Sequence, residues 1–450
     1  MGLYVSGWRL ARAVSLLSQP SKETLGTISG VALGRVMSRI LQMGGTEAFE
    51  IIRVLRNSPY SKIREYAEEI ISRYYLKSNV GVPVYSVSFS SFLIKLIICT
   101  NYAFVTLAKE GHDNPVSMNY LEKIAMPHVF AIYGAMLAGV DYITMGAGIP
   151  LHIPAIIDAY MEGRPASYKI PVIDSEDFEM VFDPKKFFGE EIPLKKRPGF
   201  IPIISSNVLG MMLSKKLGGK VSGFVVEEPT AGGHNAPPRN KIDYGPKDFV
   251  NYLELAKLGI PFWIGGSYAS SEKLAEAISL GAEGIQAGSI FALCDESGLD
   301  QSIRREIRRR GFNGTLGVRT DMRISPTGYP FKLVILENTI SELGIYSART
   351  RICDQGALVS LYKRQDGTIG TRCASEPIDD YVRKGGKIED TAGRGCICNA
   401  LISNVGLRLP GEGEPAGVTL GDNVSFLKHL MHDENSSYTA EDAVKYLLGA

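Results

Sequence analysis

Short runs of apolar residues, repeated along the first two thirds of the chain, set the pattern of this sequence. Seven runs are nearly continuous in hydrophobicity, and they span residues 25–30, 116–121, 140–146, 200–206, 222–228, 262–266 and 284–291. Helical stretches lie between them, at residues 126–138, 149–161, 208–217, 246–258 and 271–280. Continuous apolar runs are typical of strands buried on both faces, and strand–helix–strand repeats imply right-handed crossovers. The pattern therefore predicts an α/β fold around a parallel sheet.

A closed barrel of this kind needs eight strands, one more than these runs supply. The opening residues 1–6, followed by a predicted helix at residues 8–17, have the character of the end of a further strand. We therefore predict a (β/α)8 TIM barrel whose first strand is shortened at its start. The alternative is an open, doubly wound sheet, which is disfavoured by the number of repeats and by the lack of an early Gly-x-Gly-x-x-Gly turn.

Two segments interrupt the repeat and predict insertions between barrel units. The segment at about residues 74–91 is loop-like with strand character, and the segment at residues 168–197 is charged and contains prolines. The repeat stops after residue 292. We predict a barrel over residues 1–292 and a mixed C-terminal extension or subdomain over residues 293–450. The arginine-rich run inside the extension is interpreted as a solvated helix face.

The composition narrows the class of protein. The chain has 450 residues, of which 45% are hydrophobic and 22% are charged, and its formal net charge is +1. So small a net charge gives no field that would attract nucleic acid or an anionic membrane. Six cysteines do not make a disulfide scaffold, and the longest apolar stretch is broken by Lys95. We expect a cytoplasmic protein that acts on a small molecule, with no nucleic-acid or membrane partner. The sequence leaves open whether it forms a homo-oligomer.

Small-residue turns follow the last two predicted strands. One is Gly265-Gly266-Ser267, and the other comprises Gln286, Ala287, Gly288 and Ser289. Glycines let the backbone approach an anion, and N–H groups and a hydroxyl can donate hydrogen bonds to it. We therefore predict a phosphate site between the two turns. The alternative is that the glycines only allow tight turns between strand and helix.

Two polar residues follow other predicted strands, at the edge where a parallel barrel carries its active site. His234 stands on a Gly-Gly turn and has an ordinary pKa near neutrality, so it can exchange a proton at physiological pH. Asn119 offers a donor and an acceptor toward the barrel axis. The small residues after the fourth predicted strand, at 146–148, suit the floor beneath a flat ring. The alternative for His234 is a loop histidine with local hydrogen bonds, which is our interpretation of the other five histidines.

These residues resemble the nitronate monooxygenase family, formerly called 2-nitropropane dioxygenase, whose members are FMN-binding barrels. The likeness rests on Thr230-Ala231-Gly232-Gly233-His234, on Asn119 and on the paired turns, and it covers about residues 1–292. The remaining part, including the motif Ser-Pro-Thr-Gly-Tyr-Pro-Phe-Lys at residues 325–332, is similar to the extension of a longer bacterial branch. The family also includes the flavin-type enoyl-thioester reductases.

The resemblance implies an FMN cofactor and a site made of the residues that match the family. It implies that His234 faces the flavin in proton transfer or substrate orientation, and that Asn119 binds FMN. Glu227 stands where the family has a glutamine. The residues that the resemblance assigns to cofactor binding are Gly2, Asn119, Glu227, Gly232, Gly265, Gly266, Gln286, Ala287, Gly288 and Ser289.

Three functions follow from this resemblance. The first is a nitronate monooxygenase that oxidises alkyl nitronates with O2. The second is a reductase of enoyl thioesters that takes its hydride from NAD(P)H, as in fatty-acid or polyketide synthesis. The third is a flavoprotein scaffold without catalytic activity. Fold and cofactor do not by themselves decide the substrate.

Four cysteines cluster in the extension and raise a separate hypothesis. They are Cys353, Cys373, Cys396 and Cys398. Four thiolates can hold a structural zinc tetrahedrally, but only one close pair is present, so buried cysteines without a metal are the favoured interpretation. We assign no metal ligand.

Overall fold

A computed structural model describes residues 2–240, 243–408 and 414–449. In chain order its strands are β1 (Gly26–Ser29), β2 (Val116–Leu121), β3 (Tyr142–Gly146), β4 (Ala166–Ile170), β5 (Val172–Ile173), β6 (Phe178–Phe182), β7 (Gly199–Ile204), β8 (Phe224–Glu227), β9 (Phe262–Gly265), β10 (Gly284–Gln286), β11 (Gly317–Asp321), β12 (Phe331–Ile335), β13 (Ser360–Lys363) and β14 (Ile369–Arg372).

Helices fill the connections and much of the extension. They are α1 (Trp8–Leu16), α2 (Leu33–Met43), α3 (Gly45–Arg56), α4 (Ser61–Tyr74), α5 (Ser91–Lys109), α6 (His128–Leu137), α7 (Ile153–Met161), α8 (Pro184–Phe188), α9 (Asn207–Leu217), α10 (Tyr252–Ala256), α11 (Ser271–Ser279), α12 (Ser289–Ala292), α13 (Gln301–Phe312), α14 (Leu343–Ala348), α15 (Ile378–Arg383), α16 (Ile397–Asn404), α17 (Leu427–Leu430) and α18 (Ala440–Leu448). Short 3-10 helices lie at Gly218–Lys220, Pro246–Asp248 and Ile388–Thr391.

Seven strands form one parallel sheet in the order β1-β2-β3-β7-β8-β9-β10. This order follows the chain without a reversal, whereas a doubly wound sheet reverses its order at a switch point. Helices cross from one strand to the next, as the apolar pattern predicted. The strand order therefore confirms the barrel-type α/β fold and excludes the doubly wound alternative.

The predicted strand at residues 1–6 is wrong. Residue 1 lies outside the described residues, and Gly2–Ser6 form turns, with Tyr4 at a left-handed φ of 52°. The segment is still hydrogen-bonded to β1 and to the chain after α12. The carbonyl of Ser6 accepts from the N–H of Ser29 at 2.8 Å, and the carbonyl of Val5 accepts from the N–H of Gly298 at 2.9 Å. An irregular segment is thus found where the sequence predicted a strand.

Three other expectations change in detail. The insertion at residues 74–91 contains no strand, and its Tyr85 N–H donates to the carbonyl of Gln355 in the extension at 2.9 Å. The helix predicted at residues 246–258 is split, because Phe249 is extended and the side chain of Asn251 caps the start of α10. The last predicted strand stops at residue 286, where the chain turns into α12. The segment at residues 168–197 carries the antiparallel β4–β6 pair and α8.

One helix among the described residues, Ser91–Lys109, is long and apolar enough to cross a membrane by length and composition. This corrects the expectation that no such stretch exists. In the structure 72% of its apolar window is buried inside the protein. It packs closely against α6, where Gly134 leaves room for the backbone of Ile98. The helix therefore serves as a core element of this fold.

The extension shares the core of the barrel. A single cluster of buried side chains joins barrel residues such as Ile28 and Phe104 to extension residues such as Leu333 and Phe426. A second, smaller cluster lies under β7, β8 and β9. The division of the chain at residue 292 stays a prediction, but the two parts are packed together through apolar contact.

Candidate functional site

The ends of β2 and β8 place polar side chains at one edge of the sheet. Asn119, near the end of β2, is 7% exposed, and its carbonyl accepts from the N–H of Gly30 at 2.7 Å. Its side-chain amide makes no hydrogen bond to another described residue. Glu227 ends β8 and is paired in register with Gly265 of β9. The parallel sheet therefore brings the polar residues of distant segments to the same edge.

A cavity with about 770 Å³ of empty space, including the part open to solvent, lies at this edge. Gly2, Asn119, Glu227, Gly232 and His234 all line it, as does part of the predicted floor, Gly146 and Ala147. The rest of its wall is largely apolar, and includes Leu3, Val31, Ala32, Leu121, Ile124, Ile203, Phe331, Ala357, Leu358, Ile397 and Leu401. The structure thus brings these five predicted residues to one cavity, together with the polar residues Gln355 and Thr419, which the sequence analysis did not name.

His234 is held by the extension. Its Nε2 is 2.7 Å from the hydroxyl of Ser325, and its ring meets Phe331 edge-on with 4.9 Å between ring centroids. The preceding Gly233 has φ +91°, which favours glycine. Burial and, to a lesser extent, the ammonium of Lys123 lower the pKa of His234 to about 3. The imidazole is therefore neutral at pH 7, which corrects the expectation of a pKa near neutrality.

Two ionisable groups beside the cavity have pKa values close to neutrality. Burial raises the pKa of Glu227 to about 7, against the effect of the ammonium of Lys123. Burial also lowers the pKa of Lys123 to about 8, against the effects of Glu122 and Glu227. Groups that titrate near neutral pH inside a cavity are candidates for proton transfer or for binding a charged ligand.

The two predicted phosphate turns lie side by side but do not line the cavity. Gln286 is paired in register with Gly265. At Gly266, where φ is +110°, a Cβ would lie 2.9 Å from both Glu228 Cβ and Thr230 Oγ1. The turn after β9 thus requires glycine and packs against the loop that carries His234.

The second turn is partly engaged by the extension. The hydroxyl of Ser289 accepts from the N–H of Gly421 at 2.8 Å, which leaves its own proton free to donate. A Cβ at Gly288 would meet nothing within 4 Å, so the space beside this turn, which also contains Ala287, is open. The N–H groups of Gly288 and Ser267 make no hydrogen bond within the described part of the chain. These free donors meet the requirement for holding an anion.

The extension contributes residues that the sequence analysis did not assign to the site. Ser325 and Phe331 contact His234, and the Thr419 hydroxyl accepts from the N–H of Gly233 at 2.7 Å. Lys123 was also missed, although it follows Asn119 by only four positions. The motif at residues 325–332 was the available signal for the extension, since it contains three residues that reach the site: Ser325, Tyr329 and Phe331.

The four cysteines of the extension lie near one another but form no metal site. The thiol of Cys353 donates to Cys373, which lowers the pKa of Cys373 to about 7, and Cys396 is in contact with Cys398. Within residues 2–240, 243–408 and 414–449, no group of three or more His, Cys, Asp or Glu side chains could hold a metal ion. The zinc hypothesis therefore gains no support.

Comparisons with known proteins give distant structural likenesses. No family model and no curated protein matches the chain. Many solved structures are similar to it, among them the following three. A mutant of FabK from Thermotoga maritima has 13% identity and a TM-score of 0.47, covering 99% of this chain and 88% of its own. Nitroalkane oxidase from Streptomyces ansochromogenes has 11% identity and a TM-score of 0.46, covering 100% and 93%. The enoyl reductase domain of MlnA from Bacillus amyloliquefaciens has 10% identity and a TM-score of 0.47, covering 100% and 92%. Because all three scores are below 0.5, the fold assignment rests on the strand order and pairing given above.

Proposed function

We propose that this protein is an FMN-dependent oxidoreductase that oxidises alkyl nitronates. The observation that carries the proposal is the convergence of Gly2, Asn119, Glu227, Gly232 and His234 on one cavity at the carboxyl ends of a parallel sheet. Active sites of barrel enzymes lie at that edge. A cavity with apolar walls and a few polar groups suits a flat cofactor with a small substrate above it.

The residues present fit the cofactor on three counts. The side-chain amide of Asn119 has no hydrogen-bond partner among the described residues and is available to the ring. Gly265, Gly266, Gln286, Ala287, Gly288 and Ser289 offer the phosphate a pair of adjacent turns with free N–H donors and open space. Gly146 and Ala147 give the ring a floor without bulky side chains. FMN would supply the two-electron redox chemistry, and the protein would supply binding, orientation and electrostatics.

His234 orients the substrate in this proposal. Its Nε2 is engaged by Ser325, so the ring is fixed, and its neutral state leaves Nδ1 to interact with the substrate. Because the pKa is about 3, the imidazole acts as a neutral hydrogen-bonding group and not as a general acid or base at pH 7. The apolar wall excludes water from the reacting carbon. O2 serves as the oxidant of the overall reaction.

Reduction of an enoyl thioester is the second candidate. The observation that favours it is the apolar wall, in which Leu121, Ile124, Leu358 and Leu401 could accommodate an acyl chain. Such a reaction needs NAD(P)H as the source of hydride, which nitronate oxidation does not. The two candidates therefore differ in the reductant that the protein accepts.

One experiment tests the proposal and separates the candidates. The protein is purified, reconstituted with FMN and examined by absorbance, then titrated without oxygen with propyl-2-nitronate and, separately, with NADPH. Bound flavin that is bleached by the nitronate, followed by O2 consumption in air, is the expected result. Bleaching by NADPH alone would instead support the reductase. Protein that retains no FMN contradicts both candidates, and bound flavin that neither compound bleaches would indicate a scaffold.

A further inference from the structure

Lys123 is a buried cation without a counter-ion beside the cavity. It stands between Leu121 and Ile124, which both line the cavity wall. Its Nζ is inaccessible to solvent and makes no hydrogen bond, and Lys123 forms no ion pair with a carboxylate of the described residues. Burying an ammonium group without a partner is costly, so its retention calls for a compensating ligand.

Among the described residues, the ammonium lies against an aromatic face. Nζ lies 3.0 Å from the centroid of the Tyr329 ring, which comes from the extension. An aromatic face compensates a buried cation less well than an anion does. The side chain of lysine has four rotatable bonds, so a rotation can exchange the ring of Tyr329 for an anion in the cavity.

Two carboxylates near Lys123 favour its charged form, but neither makes a hydrogen bond with the ammonium. Glu122 adjoins it in sequence, but its carboxylate accepts from the hydroxyl of Tyr168 at 3.0 Å. Glu227, on β8, titrates near pH 7 and lowers its charge by partial protonation. His234, on the following loop, is neutral, in part because of the charge of Lys123. The ammonium of Lys123, beside the cavity, therefore has carboxylates near it but no hydrogen bond or ion pair with any described residue.

We propose that Lys123 is the specificity-determining residue that selects an anionic substrate, binding the oxyanion conjugated to the reacting carbon in exchange for the ring of Tyr329. This inference deepens the proposed function and rests on it, because a nitronate carries its negative charge on two oxygens attached to nitrogen. A charge-assisted hydrogen bond from an ammonium group is the interaction that such an oxygen prefers.

Nitrate is the probe, because it is planar, anionic throughout the working pH range and unreactive here. Its binding to the FMN-loaded protein is measured by calorimetry, so the readout does not depend on turnover. Lys123→Met, which keeps the length of the chain but removes the charge, should weaken nitrate binding at least tenfold. Lys123→Arg should retain most of it. Lys185→Met removes an exposed lysine, 63% accessible at its side chain, and should leave binding unchanged.

The pH dependence separates Lys123 from Glu227. In Glu227→Gln, which removes one of the charges that raise the pKa of Lys123, nitrate affinity should fall as pH rises through a pKa below about 8, approaching tenfold per pH unit above it, as the ammonium loses its proton. His234 stays neutral over this range. Lys123→Met should lack this loss. If Lys123→Met fails to fold, the profile of Glu227→Gln still decides, because a flat profile to pH 9.5 overturns the proposal.

A substitution of Tyr329 tests the proposed exchange independently of the pH profile. Tyr329→Leu removes the ring that the ammonium must leave, so nitrate should bind several-fold more tightly, by the loss of a competing cation–π contact. Unchanged or weaker binding contradicts the exchange. Nitrate binding that depends on Lys123 in a protein that does not oxidise propyl-2-nitronate would refute the proposed function and leave this inference standing. If Lys123→Met binds nitrate and oxidises the nitronate as well as the unmodified protein does, this inference is refuted and the proposed function stands.

Discussion

Burial decides which residues of the cavity carry charge. With pKa values of about 3 for His234, about 7 for Glu227 and about 8 for Lys123, the site at pH 7 holds a neutral imidazole, a half-ionised carboxyl and an ammonium. The sequence located His234 and Glu227 through strand ends and the family motif. The sequence did not predict their protonation states, because desolvation depends on residues of the extension that are distant along the chain.

His234→Ala tests the role of the imidazole. We expect flavin content and melting temperature to stay close to those of the unmodified protein, while turnover of the nitronate falls by about 10²-fold, the scale of losing a group that orients the substrate. Steady-state kinetics and flavin absorbance measure both. His432→Ala, at an exposed histidine, is the control. An unchanged rate in His234→Ala would remove the imidazole from the chemistry, and a collapse of stability would make its role structural.

His128 gives a prediction about acid stability. It is 2% exposed, packs edge-on against Tyr120 and Tyr168, and burial lowers its pKa to about 4. Because the folded pKa lies below the unfolded value of about 6.5, its contribution is fully present above pH 6.5 and is lost as pH falls through 4. At about 1.4 kcal/mol per pKa unit, the loss is on the order of 3 kcal/mol.

The measurement for His128 is urea unfolding between pH 7 and pH 4. The free energy of unfolding should fall less steeply with acid in His128→Phe than in the unmodified protein, since only the latter takes up a proton at this position on unfolding. His234 also takes up a proton on unfolding, but it does so equally in both proteins. The difference between their slopes of unfolding free energy against pH therefore reports His128 alone. Parallel curves would contradict the assignment.

At the scale of elements, a single substitution can fill the open space beside the turn after β10. A side chain at Gly288 meets no atom within 4 Å of its Cβ, so Gly288→Glu should fold normally. Its carboxylate would repel a phosphate and occupy its place, so we expect FMN content to fall at least tenfold. Gly344→Glu, which is equally unobstructed in the exposed α14, is the matched control and should keep its FMN. Full flavin content in Gly288→Glu would show that the phosphate lies elsewhere.

The crossing of α5 and α6 carries the second prediction at this scale. A Cβ at Gly134 would lie 2.4 Å from the carbonyl oxygen of Ile98, which is backbone and cannot move aside. Gly134→Ala should therefore lower the free energy of unfolding by about 1–3 kcal/mol, although alanine is the better helix former. Gly34→Ala in α2, whose Cβ would make an ordinary 3.5 Å contact with Leu96, should be neutral or stabilising. Equal stabilities by chemical unfolding would argue against this close packing.

The sequence predicted elements where a local signal existed and missed those that depend on distant contacts. The buried strands β2 and β9 were located to within a residue, because a short, continuous apolar run is typical of a strand that is covered on both faces. The prediction of a strand at residues 1–6 was wrong because Tyr4 adopts a left-handed conformation, which no local sequence pattern predicts. The strand character expected at residues 74–91 was wrong as well, since the segment contains no strand and the N–H of its Tyr85 donates to the carbonyl of Gln355 in the extension. Lys123 was missed because a single lysine at the end of a strand forms no recognisable sequence motif.

At the scale of the whole molecule, the extension is part of the site and of the core. It supplies Phe331, Leu358, Cys398 and Thr419 to the cavity wall, and its Lys332 forms an ion pair with Asp422 at 2.7 Å beside the loop of His234. The sequence described it as an appendage because its own pattern is irregular. Its order comes from packing on the barrel, which a local pattern does not reveal.

The shared core predicts that barrel and extension unfold together. Phe426 is 1% exposed and belongs to the cluster that includes barrel residues. Phe426→Ala should cost about 3–5 kcal/mol, the usual range for a buried aromatic residue. Because the core is continuous, this change in the extension should lower the unfolding midpoint of the barrel as well. Far-UV circular dichroism and release of FMN fluorescence should report one transition with the same midpoint, shifted equally in Phe426→Ala. Two separate transitions, or a flavin midpoint that does not shift, would show that the barrel is stable without its extension.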